Sequence, residues 1–212
     1  MPTASEVGAA PASHVNDKNN PHGVTIEQIG AAPAGYGLGE VKAKYVASPD
    51  DIVESGFYRS TAPNVTAGTA WYVCISYSEN AKTVLGFNEA SGGLAFMRTM
   101  KSGVWGEWEW VNPPMVPGVE YRTTERWDGQ PVYTCLLNYG KAPNNDTGAV
   151  AHNLAVVRAL RCFAHMNGNA SVPYEAWGEK INASFNRTHI YVATSYNASA
   201  YDIYVQMWYT KS

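Results

Sequence analysis

The sequence predicts a mainly β chain behind a short, self-associating leader. Three observations carry this. The composition is that of strands and turns: fourteen Tyr and seven Trp, aromatics at 12% and charged residues at only 16%, below the usual quarter. From Val46 onward, apolar residues recur with a period of two between Gly-, Asn- and Pro-rich breaks. And Thr3–Ala12 (TASEVGAAPA) returns as Thr25–Ala34 (TIEQIGAAPA), twenty-two positions later.

Each copy of the repeat opens on a capping box. Thr3 is followed by Glu6 and Val7-Gly8, and Thr25 by Gln28 and Ile29-Gly30. Gly stops the turn, and Ala-Ala-Pro-Ala leads out extended. One helical turn cannot hide Val7 or Ile29, but three chains around an axis can. The leader is therefore expected to trimerise, with Val7, His22 and Ile29 as candidates for the axis. His22, between Pro21 and Gly23, reads as a turn residue, or as an imidazole facing its symmetry mates where three could hold a metal. Gly35-Tyr36-Gly37-Leu38-Gly39 follows as a joint. It is no dinucleotide fingerprint, because no strand precedes it and no βαβ unit follows.

The next segment reads as an antiparallel meander. Asp50–Glu54 is its one short helix. Trp71, Val73, Ile75 and Tyr77 alternate with Tyr72, Cys74 and Ser76. Turns at Ser78–Asn80, Ser91–Gly93 and Lys101–Gly103 lead into runs at Thr83–Phe87, Leu94–Met100 and Val104–Val111. Asn112-Pro113-Pro114 and Pro117-Gly118 mark a boundary. Beyond it, Tyr121–Trp127 and Val132–Leu137 flank Asp128-Gly129, a hairpin signal, with Pro131 marking an edge strand. Val150–Ala164 fits a helix face and a strand about equally. Thr188–Thr194 and Tyr201–Thr210 read as strands, with Ile203, Val205, Met207 and Tyr209 turned inward.

Several functions are disfavoured. A net charge of −3 gives no electrostatic reason to expect nucleic acid or an anionic membrane as partner. No apolar run approaches the ~18 residues of a membrane span. The start, MPTASEVGAAPAS, has neither the charged nor the apolar region of a secretion signal. Cys74, Cys135 and Cys162 are widely spaced and odd in number. They read as small buried residues of a protein assembled in a reducing cytosol. Without a signal, six Asn-x-Ser/Thr triplets read as turn chemistry rather than glycosylation. No Gly-x-Ser-x-Gly elbow, His-Glu-x-x-His or P-loop occurs. Nothing near Cys162 and His165 would activate the thiol. No catalytic residue, resident metal or cofactor is expected, and the chain reads as a binding protein rather than an enzyme.

Asn20–Ala31 (NPHGVTIEQIGA) resembles a segment of phage tail-fibre and prophage tail proteins. Asp51-Ile52, Ser55–Tyr58, Arg98 and Gly103–Trp108 (GVWGEW) resemble the knob module of R-type pyocin and phage fibres. Gly118–Thr123, Ala151–Leu154, Val172-Pro173, Ser199–Tyr201 and Tyr209–Lys211 resemble a distal fibre domain. The resemblance implies a homotrimer with a stalk over 1–44, a pyocin-knob-like module over 45–114 and a distal receptor-binding β-sandwich over 115–212. It implies that Leu154–Ala164 is a strand. It implies attachment to other tail or baseplate proteins through the N-terminal segment, a place in the virion after assembly in the host cytoplasm, and a bacterial surface polysaccharide or other receptor as partner. Metal-threaded fibres carry His-x-His repeats, which His14 and His22 do not form.

A host-receptor site needs aromatic platforms for sugar faces and amides or carboxylates for hydroxyls. Two segments fit. Asn167–Lys180 offers Asn169, Tyr174, Glu175 and Trp177. Ser195–Asp202 offers Tyr196, Asn197 and Tyr201. The same aromatics could instead close the core or face a neighbour. Trp105, Trp108 and Trp110 read as a stacking surface or, preferably, as core. Trp71 and Trp208 read as core or interface. Two other roles compete: a structural collar or adaptor of the tail, and a capsule depolymerase drawing paired carboxylates from Glu175, Glu179 and Asp202.

Overall fold

The computed structural model describes residues 43–61, 68–89, 93–167, 170–176 and 178–211. Val7, His14, His22, Ile29, Asn169 and Trp177 lie outside them, and of Tyr174 the backbone alone is described. Ala43–Ser212 form one compact unit.

The first unit of sheet runs β1 (Lys44–Tyr45), a 3-10 helix at Pro49–Asp51, β2 (Gly56–Ser60), β3 (Ala70–Ser78), β4 (Ala81–Asn88), β5 (Ala95–Lys101), β6 (Val104–Trp105) and β7 (Glu109–Trp110). The chain continues through β8 (Glu120–Trp127), β9 (Gln130–Lys141), β10 (Thr147–Ala151), β11 (Arg158–Met166), β12 (Ala170–Val172), β13 (Tyr174–Ala176), β14 (Glu179–Phe185), β15 (His189–Thr194) and β16 (Asp202–Thr210). One sheet has the order β1-β2-β3-β4-β5-β7-β8-β9-β16-β11-β12, with β6 beside β5. A second has the order β10-β15-β14-β13. The fold is mainly β, as expected. The meander of β3, β4 and β5 is antiparallel, whereas β1–β2 and β7–β8 are parallel pairs.

The turns follow local chemistry. Asp128 (φ 50°) and Gly129 (φ 73°) make the two-residue hairpin between β8 and β9, and Ser102 (φ 54°) and Gly103 (φ 79°) make the one between β5 and β6. Both have the positive φ that matches strand twist. The helix is shorter than Asp50–Glu54. Ser48 caps Asp50 N at 3.2 Å, Asp51 reaches back to Ser48 N at 3.0 Å, and Ile52 is already extended.

Two hydrophobic clusters form. One gathers Ile52, Tyr58, Tyr72, Val84, Phe96, Trp110 and Tyr121, with Trp105 and Trp108 packed against it. The three Trp of the Val104–Val111 run are thus core. The other lies between the two sheets. Ile203, Val205, Met207 and Tyr209 of β16, all fully buried, meet Ile181, Ile190 and Val192 of the smaller sheet. This is the inward alternation expected of the last strand.

Four expectations are corrected. Val104–Val111 is not one strand but β6 and β7 with a break between them. The rings of Trp105 and Trp108 lie on the Arg98 guanidinium, 4.2 and 4.3 Å from its carbon to each centroid. Residues three apart point to opposite faces of a regular strand, so both can reach Arg98 only if the strand breaks. Pro131 does not mark an edge strand, since β9 lies between β8 and β16. It is tolerated because the β16 ladder reaches only to Val132, so Pro131 has no partner strand on that side to which an N–H would donate. Leu154–Val157 is loop, and the strand begins only at Arg158. Asn153 adopts φ 56°, and buried His152 accepts from Leu154 N at 3.1 Å and donates to Asn186 O at 3.1 Å, which turns the chain out of extended geometry. Of the two readings of Trp71, core or interface, the first is excluded: it is 39% exposed on the outward face of β3.

Arg98 is 7% exposed and ion-paired to Asp50 of the 3-10 helix. Arg98→Met keeps the length but removes the charge and the cation–π contacts. A loss of about 2 kcal/mol is expected in urea unfolding, less than for a fully buried pair because Asp50 is half exposed.

Burial also sets an alkaline limit. It pushes Tyr72 up to about 12 and Cys135 up to about 11, and it raises Tyr209, whose hydroxyl also donates to Glu120. Above roughly pH 8.5 for Cys and 10 for Tyr, the unfolded chain loses these protons while the folded one keeps them. Stability is therefore flat below that range and falls as pH rises, steepening by about 1.4 kcal/mol per pH unit for each group titrating in the unfolded chain. Urea midpoints measured from pH 7 to 11 should show the decline, and Tyr209→Phe should flatten its upper limb.

Candidate functional site

The outward face of β8, β9, β16 and β11 carries a concavity of about 320 Å³. Register builds its floor. Trp208 stands between Thr134 of β9 and Arg161 of β11; Gln206 stands between Leu136 and Phe163. The Phe163 ring meets Trp208 edge-on at 5.6 Å, and the Arg161 guanidinium lies 4.7 Å from the Trp208 centroid. Trp208 is half-buried, so it is neither core nor free. It is an aromatic surface braced on two sides.

One wall comes from a defect in β8. Its ladder to β9 shifts register between Arg122 and Arg126. Thr123 turns inward and donates to Val132 O at 2.8 Å, and Glu125 N donates back to Thr123 Oγ1 at 3.2 Å. The bulge bends the strand and aims Thr124 and Glu125 at the concavity. Glu125 takes both its oxygens to Arg161 Nη2, at 2.7 and 2.9 Å. The other wall is the segment between β7 and β8, which brings Asn112, Pro113 and Met115. Met115 sits at φ 54°, with its sulfur 3.3 Å from Gln206 Nε2. Gly118 N then donates to Leu136 O at 2.7 Å and pins the segment to the sheet.

A second concavity of about 190 Å³ lies beside Glu107, Glu109, Arg122 and Arg126. Its charges are spent on each other. Arg122 donates to Glu107 and Glu109 at 2.5 and 2.9 Å, and Arg126 grips both oxygens of Glu109 at 2.6 and 2.7 Å.

The chain is similar to pyocin tail fibres. It covers 80% of its length and 98% of an N-truncated R2-type pyocin tail fibre, at 9% identity and a TM-score of 0.28. Against an R1 pyocin fibre of P. aeruginosa the figures are 79% and 66%, at 12% identity and 0.26. Against an R2 pyocin fibre of P. aeruginosa they are 80% and 67%, at 9% and 0.29. Fibres of this kind are what the sequence resembles. No family model and no curated protein matches the chain.

The residues expected at a receptor site are spread over two segments that touch. Lys180 N donates to Ser195 Oγ at 2.8 Å, and Ser195 N to Lys180 O at 3.0 Å. Asn167–Lys180 is not a plain loop, since it contains β12 and β13. Glu175 is exposed on β13 and ion-paired to Lys180 at 2.8 Å. Tyr196 is half-buried against the inter-sheet cluster. Asn197 is exposed, but its Oδ1 accepts from Ser199 N and Oγ at 3.2 and 2.7 Å. Tyr201 is 37% exposed. Asp202 pairs with Lys141 at 3.1 Å. Among the described residues no cluster of His, Cys, Asp and Glu could hold a metal, and no helix is long and apolar enough to cross a membrane.

Sequence reasoning named Trp208 but missed Arg161, Phe163, Gln206 and Glu125. The alternation of β16 does place Gln206 and Trp208 on one face. A bulge in β8 leaves no trace in the pattern.

The Glu125–Arg161 pair is about half exposed at both ends, so solvent screens it. Glu125→Gln and Arg161→Gln should each change unfolding free energy by less than about 1 kcal/mol, as read from urea titration. Both variants therefore serve to probe the concavity without disturbing the fold.

Proposed function

We propose that this chain is a receptor-binding protein of a phage tail fibre or a prophage tail-like particle, and that it attaches the particle to a glycan of the bacterial surface. One observation carries the reading: the concavity at Trp208 offers an aromatic surface with amide, hydroxyl and carboxylate groups aimed beside it. A sugar ring can lay its C–H face on the indole while Gln206, Thr124 and Glu125 take its hydroxyls. The sequence resemblance of Asn20–Ala31 and of Gly103–Trp108 to fibre proteins supports the same reading. Binding at one such site is weak, and a homotrimer carried on several fibres multiplies it.

The role is binding rather than turnover. Glycoside hydrolysis needs one carboxyl free to give a proton and another free to attack or activate water. Of the three carboxylates that could serve it, Glu175 pairs with Lys180 and Asp202 with Lys141, which leaves Glu179 where two are needed; Glu125 of the concavity pairs with Arg161. The N-terminal segment joins the particle, and the three thiols suit assembly in a reducing host cytoplasm.

The purified chain should coat susceptible bacteria and block adsorption of the particle. Trp208→Ala should weaken that competition by at least about 30-fold, the loss of a ~2 kcal/mol contact. A triple variant, Tyr174→Ala with Trp177→Ala and Tyr196→Ala, measured in parallel, decides whether the two touching segments contribute. Absence of competition by the unaltered protein at saturation would leave the collar or adaptor role.

A further inference from the structure

The aromatic surface does not end at the concavity. β16 turns Ile203, Val205 and Met207, all fully buried, toward the core, so Tyr204, Gln206 and Trp208 share the outward face. Tyr204 stands between Asn138 of β9 and His165 of β11, two ranks beyond Trp208. It is half-buried, and Asn138 and His165 are both exposed beside it. Phe163, 50% exposed, lies in the rank between.

The polar groups around Tyr204 are open to a ligand. The β9–β16 ladder shifts register between Ile203 and Tyr204, with Gly140 at φ 94°, and this bulge sets Asn138 at its turn. Asn138 Oδ1 accepts from Gly140 N at 2.8 Å. That bond orients the amide and leaves Nδ2 to donate. Among the described residues, neither the Tyr204 hydroxyl nor a ring nitrogen of His165 makes a hydrogen bond. An aromatic ring with directed polar groups beside it is what the concavity offers at Trp208, and here it occurs a second time.

The spacing decides what could use both. Four residues of strand separate the two rings, a rise of about 13 Å. One pyranose cannot touch both, whereas a chain of linked sugars can, passing over Phe163 and Gln206. Charge narrows the ligand further. Glu125 is paired to Arg161 at one end of this path and Asp202 to Lys141 at the other. No lysine or arginine along it is left unpaired to hold an acidic polymer.

We infer that the site of the proposed function continues from Trp208 along β16 to Tyr204, and that its ligand is an internal stretch of an uncharged polysaccharide lying lengthwise on both rings. The inference rests on the glycan reading above and adds to it a second subsite, made of Tyr204, Asn138 and His165.

The probe is the surface polysaccharide of a susceptible strain, cut into fragments graded by length. Each fragment competes with intact cells for the full-length protein. Inhibition should rise at least about 10-fold once a fragment spans both rings, and then level off. Tyr204→Ala should remove that rise and leave inhibition by single sugars unchanged, whereas Trp208→Ala should weaken inhibition at every length. A Tyr204→Ala protein that keeps the full length dependence, or equal inhibition by all lengths in the unaltered protein, overturns the inference and leaves the concavity as the whole site. Failure of every fragment overturns the glycan reading as well. Should Tyr204→Ala lower the thermal transition, Asn138→Ala and His165→Ala, on exposed side chains, give the same readout. Inhibition by long fragments should also hold within about two-fold from low to high salt, since exposed charges that salt would screen take no part. A ten-fold fall would mark an acidic ligand and overturn the assignment of an uncharged chain.

Discussion

The Arg98 clamp is the constraint on which the rest of the sheet depends. Its nearly buried guanidinium is held between two indoles and tied to the half-exposed Asp50. The clamp forces the chain to break between β6 and β7, and the break sets where β7 resumes. Phe96 then faces Trp110 across the ladder, and Trp110 faces Thr123 in the parallel pair that joins β7 to β8. Aromatic edges carry the contact through: Tyr72 to Phe96 at 6.2 Å, Phe96 to Trp110 at 5.6 Å, Trp110 to Tyr121 at 5.5 Å. The first half of the long sheet is thus set against the second by packing around one buried cation.

The arrangement has a cost. Tyr72 Oη, Arg98 Nε and Trp108 Nε1 are buried with no protein acceptor among the described residues. Each such group costs about 1–3 kcal/mol. The offset comes from packing, and packing there is tight: a Cβ at Gly86 would overlap the Phe96 ring. The cluster tolerates polar orphans because the aromatic groups around them cannot be rearranged without losing more.

Much of this was legible in the sequence, and the part that was not has a common cause. Asp128-Gly129 announced its hairpin because the turn is decided by two residues. Ile203, Val205, Met207 and Tyr209 announced their face because alternation is a local property. Pro131 misled because its tolerance depends on where the ladder to β16, far away in sequence, ends. Trp71 stayed open between core and interface because period two says which residues share a face and not which face is covered. The concavity was illegible for the same reason. Trp208 and Gln206 come from β16, Arg161 from β11 and Glu125 from a bulge in β8, and pairing of distant strands alone brings them together.

The two outward faces make different demands on the same sheet. Around Trp208 the aromatic residues are interleaved with amides, hydroxyls and a compensated ion pair, so the surface stays wet and selective. Around Trp71 the polar groups are few, Arg59 and the Thr83–Thr99 pair among apolar side chains, and the apolar remainder gains free energy by leaving water. A strand meander can carry both because each face is written by alternate residues of its own strands. The junction at β7–β8, placed by the Arg98 clamp, is where one character gives way to the other. Displacing β7 would therefore do more than loosen the core. It would move the Asn112–Met115 wall relative to Gln206 and Trp208, and so couple the packing of the first half to the shape of the site in the second.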